Sequence, residues 1–298
     1  MGKTREIKKR IKAVGNIRRI TNTMRMIATS KFAKAQQIAT ATKPYTEGLF
    51  ALVTELAATI GGEVSHPLLS GPAKKSKDAK PATLIITSDR GLCGPYNGSI
   101  LRTAMHYAKA NPAARAGAIE LVGKKGAGFL KYNNIAVSKL HNGIGDKPTF
   151  DKIEPIAQDY INRFLAGEIS SVHVISMKFH SAGRQTPEVL QLLPLKPVET
   201  KKKGEVAKAK GPAIVYEFSP PAEELLGDML PAAVKATLFQ IFNDAIVSEH
   251  VARMVAMKAA TDNAGKMRKL YTRDFNRARQ SQITTELSEI IAGAAALG

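Results

Sequence analysis

The stretch TSDRGLCGPYN, Thr87 to Asn97, gathers residue types that do chemistry: an Asp-Arg pair, nearby glycines and the only cysteine of the chain. A nucleophilic Cys93 needs a neighbouring base, and no histidine lies near it in sequence. A phosphate cradle needs glycines that let the backbone approach an anion. Gly91 and Gly94 offer this, but neither the GxGxxG spacing nor GxxxxGK followed by Ser or Thr is present. The reading that remains is structural: a strand-to-helix turn, its glycines at positive φ and Cys93 a small buried apolar residue. His66, His106, His141, His173, His180 and His250 are scattered, without a metal-binding spacing such as HExxH. No catalytic residue, metal or cofactor is expected.

The other residues with chemical character point to surfaces. Between Lys3 and Lys34 there are eleven Lys or Arg against Glu6 alone. Such a helix is either a solvated face or the complement of an acidic partner. The segment ARQSQIT places Arg279, Gln280 and Thr284 along one helix face, and arginine offers a planar fork of donors to carboxylates. The formal net charge of +19 over 298 residues also calls for an anionic partner: nucleic acid, a membrane surface or an acidic protein. Single-stranded nucleic acid is usually gripped by rings as well as charges, and Phe32 is the only aromatic among the first forty residues. One cysteine excludes an internal disulfide. No run of about 18 apolar residues is evident, so no membrane span is expected.

Three blocks must position these residues. Residues 1–62 read as an N-terminal coiled-coil helix, in which Pro44 removes one backbone donor and is expected to kink the chain. Ile7, Ile11, Val14, Ile17, Ile20, Met24 and Ile27 step by 4, 3, 3, 3, 4 and 3, a seam with one extra three-residue step. GGEVSHPLLSGP ends the helix, and AKKSKDAKP reads as a solvated linker. Residues 82–195 alternate strand and helix: ATLIITSD, Tyr96 to Ala110, AIELVG, IAVSKL, Phe150 to Ala166, VHVISMKF and TPEVLQLLPL. That predicts a central α/β, Rossmann-like domain with a mostly parallel sheet. Residues 196–212 form a Lys-rich loop without periodicity, expected to be flexible.

Residues 231–298 return to helical phase. Pro231 is a favourable first residue, and Val234, Leu238, Ile241, Ala245, Ser248, Ala252, Val255 and Ala259 mark its seam. Ile283, Leu287, Ile290 and Ala294 repeat the phase near the end. Each terminal helix alone exposes an apolar stripe, so the two should wrap around each other, antiparallel. The fold class is therefore α+β: a long antiparallel two-helix coiled coil from the N- and C-terminal segments, plus the central domain. IIAGAAALG is too short to span a bilayer and suits a tip inside a tight apolar sleeve.

Four stretches carry a resemblance: IRRITNTMRMIATSKFAKAQ, TSDRGLCGPYNGSI, SEHVARMVAMKAATDNAGKMRKL and NRARQSQITTELSEIIAGAAAL. Together they closely resemble the gamma subunit of F-type ATP synthases, almost end to end. The resemblance implies a central rotor shaft whose coiled coil lies within a ring of three alpha and three beta subunits. It implies a head on the epsilon subunit and the membrane c-ring, with no nucleic acid and membrane contact only through the complex. Met24, Arg25, Arg253, Arg279, Gln280 and Thr284 are implied as contacts to beta, the first two beside an acidic loop. Because the resemblance starts within the first few residues, a bacterial protein is expected, peripheral on the cytoplasmic side of the cell membrane. Pro95 stands where the family usually has glycine, the loop at Lys196 to Pro212 looks longer than usual, and the regulatory cysteine pair of chloroplast relatives is absent. The alternatives are a basic, nucleic-acid-binding coiled coil and a dinucleotide enzyme. The second would need a glycine fingerprint after the first strand and an acidic residue about 20 positions on, and the glycines are misplaced.

Overall fold

The computed structural model describes residues 2–59, 66–71, 79–145, 147–195 and 222–297. The Lys-rich loop at 196–212 and most of the expected linker lie outside the described residues. The chain forms two compact units, Met1–Lys31 with His250–Gly298, and Phe32–Glu249. Two helices contribute to both: α1, Gly2–Thr59, which runs through Pro44, and α7, Ala222–Leu297. α7 starts nine residues before the expected Pro231, because Leu226 and Leu230 already repeat at helical spacing into the core.

In the first unit α1 and α7 are antiparallel. The Thr4 hydroxyl donates to Gln282 Oε1 at 3.1 Å, and the Thr21 and Thr261 hydroxyls meet at 2.8 Å. The less exposed positions of α1 in this unit are Thr4, Ile7, Ile11, Val14, Gly15, Thr21, Asn22, Met24, Arg25, Ala28 and Lys31. Among them Thr4, Ile7, Ile11 and Val14 step by 3, 4 and 3, and Thr21, Arg25 and Ala28 by 4 and 3, the spacing of a left-handed pair, with the exposed Arg18 between the two runs. The extra three-residue step expected from the isoleucines is absent. Ile17, Ile20 and Ile27 are 52%, 57% and 52% exposed in this chain. Geometry rather than apolarity decides: a helix held to a 3.5-residue seam carries Thr21, Arg25 and Ala28 inward whatever their neighbours. On α7 the same rule turns Met257, Thr261 and Ala264 inward and leaves Val255 and Ala259 exposed.

The second unit is built on a five-stranded sheet in the order β3-β2-β1-β4-β5. β1 (Lys80–Ile86), β2 (Ala118–Val122), β3 (Lys139–His141) and β4 (Ile169–Ser181) are parallel, and β5 (Arg184–Leu193) returns antiparallel to β4. The crossovers use α3 (Tyr96–Ala110) and α4 (Pro112–Arg115), α5 (Lys124–Tyr132) and α6 (Phe150–Leu165), while α2 (Pro67–Ser70) follows α1. The branched run of β1 is buried from Ala82 onward, as a strand covered on both faces requires. Ile153, Ile156, Ala157, Tyr160, Ile161 and Phe164 line the buried face of α6 at helical spacing. Leu226, Leu230, Val234, Leu238 and Phe242 of α7 join the same core, with Val53 and Leu56 of α1. By length and composition α7 is apolar enough to cross a membrane, unlike the expectation above. These residues bury its apolar side in protein instead.

Candidate partner-binding surface

The loop between β1 and α3 is held from within. The Ser88 N–H donates to Asn97 Oδ1 at 3.0 Å, and Asn97 Nδ2 donates to Ser88 Oγ at 2.8 Å and to Cys93 Sγ at 3.2 Å. Cys93 is buried, and its sulfur is a packing and hydrogen-bonding group within that turn. Gly94 takes φ of 56° here; Leu92 also lies at positive φ, 65°, so the strained residue beside the cysteine is not a glycine. The crevice at the carboxyl ends of β1 and β2, where open parallel sheets bind ligands, retains about 20 Å³. Phe242, Ala245 and Ile246 of α7 line it, and Tyr96 donates its hydroxyl to the Ala245 carbonyl at 3.0 Å. Room for about one water is not room for a dinucleotide. Among the described residues no three His, Cys, Asp or Glu gather as metal ligands would.

A buried charge network was not foreseen. Glu120, on β2, accepts from His141 Nε2 at 2.7 Å, Arg163 Nη1 at 2.7 Å and the Tyr160 hydroxyl at 2.9 Å. Burial alone would push this carboxyl up, but the three donors outweigh it and bring it down to about 2. Tyr160 is pushed far up by burial and by the adjacent carboxylate. The signal was the one acidic residue inside the apolar run AIELVG. The network ties the short edge strand β3 and α6 to β2, and it is internal. It braces the sheet.

The residues implied as contacts fall at two levels of the first unit. Met24 and Arg25 lie on α1 about 20 residues beyond Thr4, hence about 30 Å along the axis from the level of Gln282. Arg25 turns its fork back to its own helix, its Nε and Nη2 donating to Asn22 Oδ1 at 3.3 and 3.0 Å. Arg279 and Gln280 are exposed. Thr284 is exposed too, its hydroxyl donating to the Gln280 carbonyl at 3.0 Å. Arg253 is buried within the chain. The structure thus separates Met24 and Arg25 from Arg279, Gln280 and Thr284, and leaves both sets beside apolar surface. Ile17, Ile20 and Ile27 flank the first; Ile283, Leu287 and Ile290 continue past the second, where α7 runs beyond the start of α1. Shallow grooves along the pair carry Arg10 and Arg277 in one, and Arg18, Arg268 and Lys269 in another.

The chain thus combines an antiparallel helix pair that turns isoleucines and cations outward with a five-stranded α/β domain. Residues 3–297 match the family model described as ATP synthase. The ATP synthase gamma chain of Rhodopirellula baltica is 40% identical over 298 residues, covering 100% of this chain and 99% of that one. That of Leptospira biflexa is 38% identical over the full length of both. The fold is shared with a chain of the Euglena gracilis mitochondrial ATP synthase, described as OSCP/F1/c-ring, at a TM-score of 0.63, 19% identity and coverage of 99% and 95%. A central stalk and c-ring structure from Tetrahymena thermophila gives 0.56, at 19% identity and coverage of 81% and 99%. The chain belongs to the ATP synthase gamma-chain family. Gamma-chain relatives spanning its whole length leave the nucleic-acid-binding coiled coil without support.

Proposed function

We propose that this chain is the central rotor shaft of the F1 sector of an ATP synthase. It transmits rotation between the ion-driven c-ring of the membrane and the catalytic alpha/beta ring. What supports the reading most is end-to-end family membership in a chain whose coiled coil turns isoleucines outward, where a sleeve would cover them. In this reading Met24, Arg25, Arg279, Gln280 and Thr284 meet beta subunits, and Arg253 backs that surface from inside. The head meets epsilon and the c-ring. The chain has no catalytic residues of its own, since nucleotide chemistry belongs to P-loop partners. Its place is the cytoplasmic face of a bacterial membrane, reached through the complex.

The mechanism is differential binding. A shaft with unlike faces contacts three like subunits differently, so each orientation favours one set of subunit conformations. Converting a subunit from 1:99 to 99:1 takes about 5.5 kcal/mol of difference, which a few desolvated contacts can supply. The test is a reconstituted complex fixed through its alpha/beta ring, with a visible label on the chain's sheet domain. ATP should drive unidirectional rotation of the label, and tethering residue 279 to the ring through an engineered disulfide should stop both rotation and hydrolysis reversibly. Full hydrolysis with the tether in place would falsify the rotor reading.

A further inference from the structure

A groove of about 740 Å³ opens in the second unit between α1, the β4–β5 hairpin and α7. Most of its charged lining is already matched. Lys43 and Glu47 pair along α1 at 3.6 Å, and Lys178 and Glu188 pair across the hairpin at 3.2 Å. Asp244 of α7 differs. Its carboxylate, half-buried, receives a neutral donor, Gln240 Nε2 at 3.0 Å. Gln240 is itself fixed by the Thr42 hydroxyl, which donates to its Oε1 at 2.9 Å. Two lysines against three carboxylates leave the groove one formal negative charge, in a chain whose formal charge is +19.

The surroundings suit a long cationic side chain. Ala39, Leu190 and Ile241 give apolar wall for an aliphatic stem, and the acid of Asp244 belongs to the same lining. The volume lies within the roughly 300–1,000 Å³ of ligand-binding clefts, enough for a stretch of chain rather than one amine. We propose that this groove docks a segment of a partner protein that presents a lysine or arginine to Asp244. The proposal rests on the chain's working within a multisubunit complex, as inferred above.

The charges that face Asp244 are Lys43 and Glu47 from α1, Lys178 and His180 from β4, and Glu188 from β5. Burial holds its carboxyl up to about 6, against the pull of Lys178 and Lys43. Docking should therefore weaken as pH falls through that value and the carboxylate is neutralised.

The experiment uses full-length wild type, Asp244→Asn and Asp244→Lys, each titrated at pH 7.5 with the separately purified subunits of its own complex. One subunit should bind the Asn variant at least tenfold more weakly and the Lys variant more weakly still. For wild type, the affinity for that subunit should approach the Asn value below pH 6. Wild-type affinity of the Asn variant for every subunit overturns the proposal. The amide is nearly isosteric, and thermal unfolding of each free chain confirms that folded protein was titrated. A wild-type chain that assembles with none of them overturns the proposed function instead.

Discussion

Removing the charge of Glu120 should expose how much of the sheet domain's stability it supplies. In Glu120→Gln the shape is kept, while His141, Tyr160 and Arg163 lose their shared anion. Holding the carboxyl at about 2 against an ordinary 4.5 corresponds to about 3 kcal/mol, at 1.36 kcal/mol per unit. The usual cost of breaking a buried pair, about 3–5 kcal/mol, agrees. The pH dependence follows from the direction of the shift. The folded pKa is depressed, so this stability is complete above the unfolded value of 4.5 and drains away as pH falls toward about 2. Urea unfolding of both full-length chains, followed by near-ultraviolet circular dichroism, should show a difference of about 3 kcal/mol at pH 7, narrowing to about 1 kcal/mol at pH 3. A difference under about 1 kcal/mol at pH 7, or one that stays constant with pH, would refute the argument.

Asp244→Asn should act in the opposite sense on the free chain. Its folded pKa is raised to about 6, so the wild type loses stability as pH rises from about 4 to 6, and the variant should melt higher at pH 8 but not at pH 4. Cys93→Ala should leave ATP synthesis and hydrolysis largely intact at a stability cost of about 1–2 kcal/mol; an inactive but normally assembled complex would return catalysis to that loop. Gly123→Ala should yield little folded protein, measured as soluble yield, because a Cβ there would lie 2.2 Å from the Thr87 carbonyl at φ of +89°. Met24→Lys adds a cation beside Arg25, where a new ion pair in a desolvated setting exceeds the ~0–1 kcal/mol of an exposed one. The complex should still hydrolyse ATP but pump fewer ions per ATP in membrane vesicles, and unchanged pumping would show that Met24 does not face beta.

The α/β alternation was legible because strands such as ATLIITSD are short, branched and bounded by turn residues, and α6 shows its buried face at 3.6-residue spacing. The helix α5 was not, since KKGAGFLKY mixes lysines and glycines and gains its shape from packing on β2. The helix pair was legible in kind and its seam misread in detail. Ile17, Ile20 and Ile27 are apolar and regularly spaced, so sequence alone assigns them to the seam between the helices. In the structure Thr21 and Ala28 hold that place. Apolarity says that a residue will be covered, and not by which chain. The Glu120 network escaped notice for a related reason: its members come from β2, β3 and α6, and only the folded sheet brings them together.

The outward isoleucines also bear on how the cell must make this protein. A free copy carries greasy rows at Ile17, Ile20 and Ile27 and again at Ile283, Leu287 and Ile290, the last 68% exposed. Copies left over from assembly would find each other through these rows, and aggregation of that kind is second order in the surplus. Gene dosage and translation rate of such a chain are therefore constrained from above: synthesis must lag the supply of whatever covers the rows. Produced alone at high level it should collect in inclusion bodies, and produced together with its complex it should stay soluble.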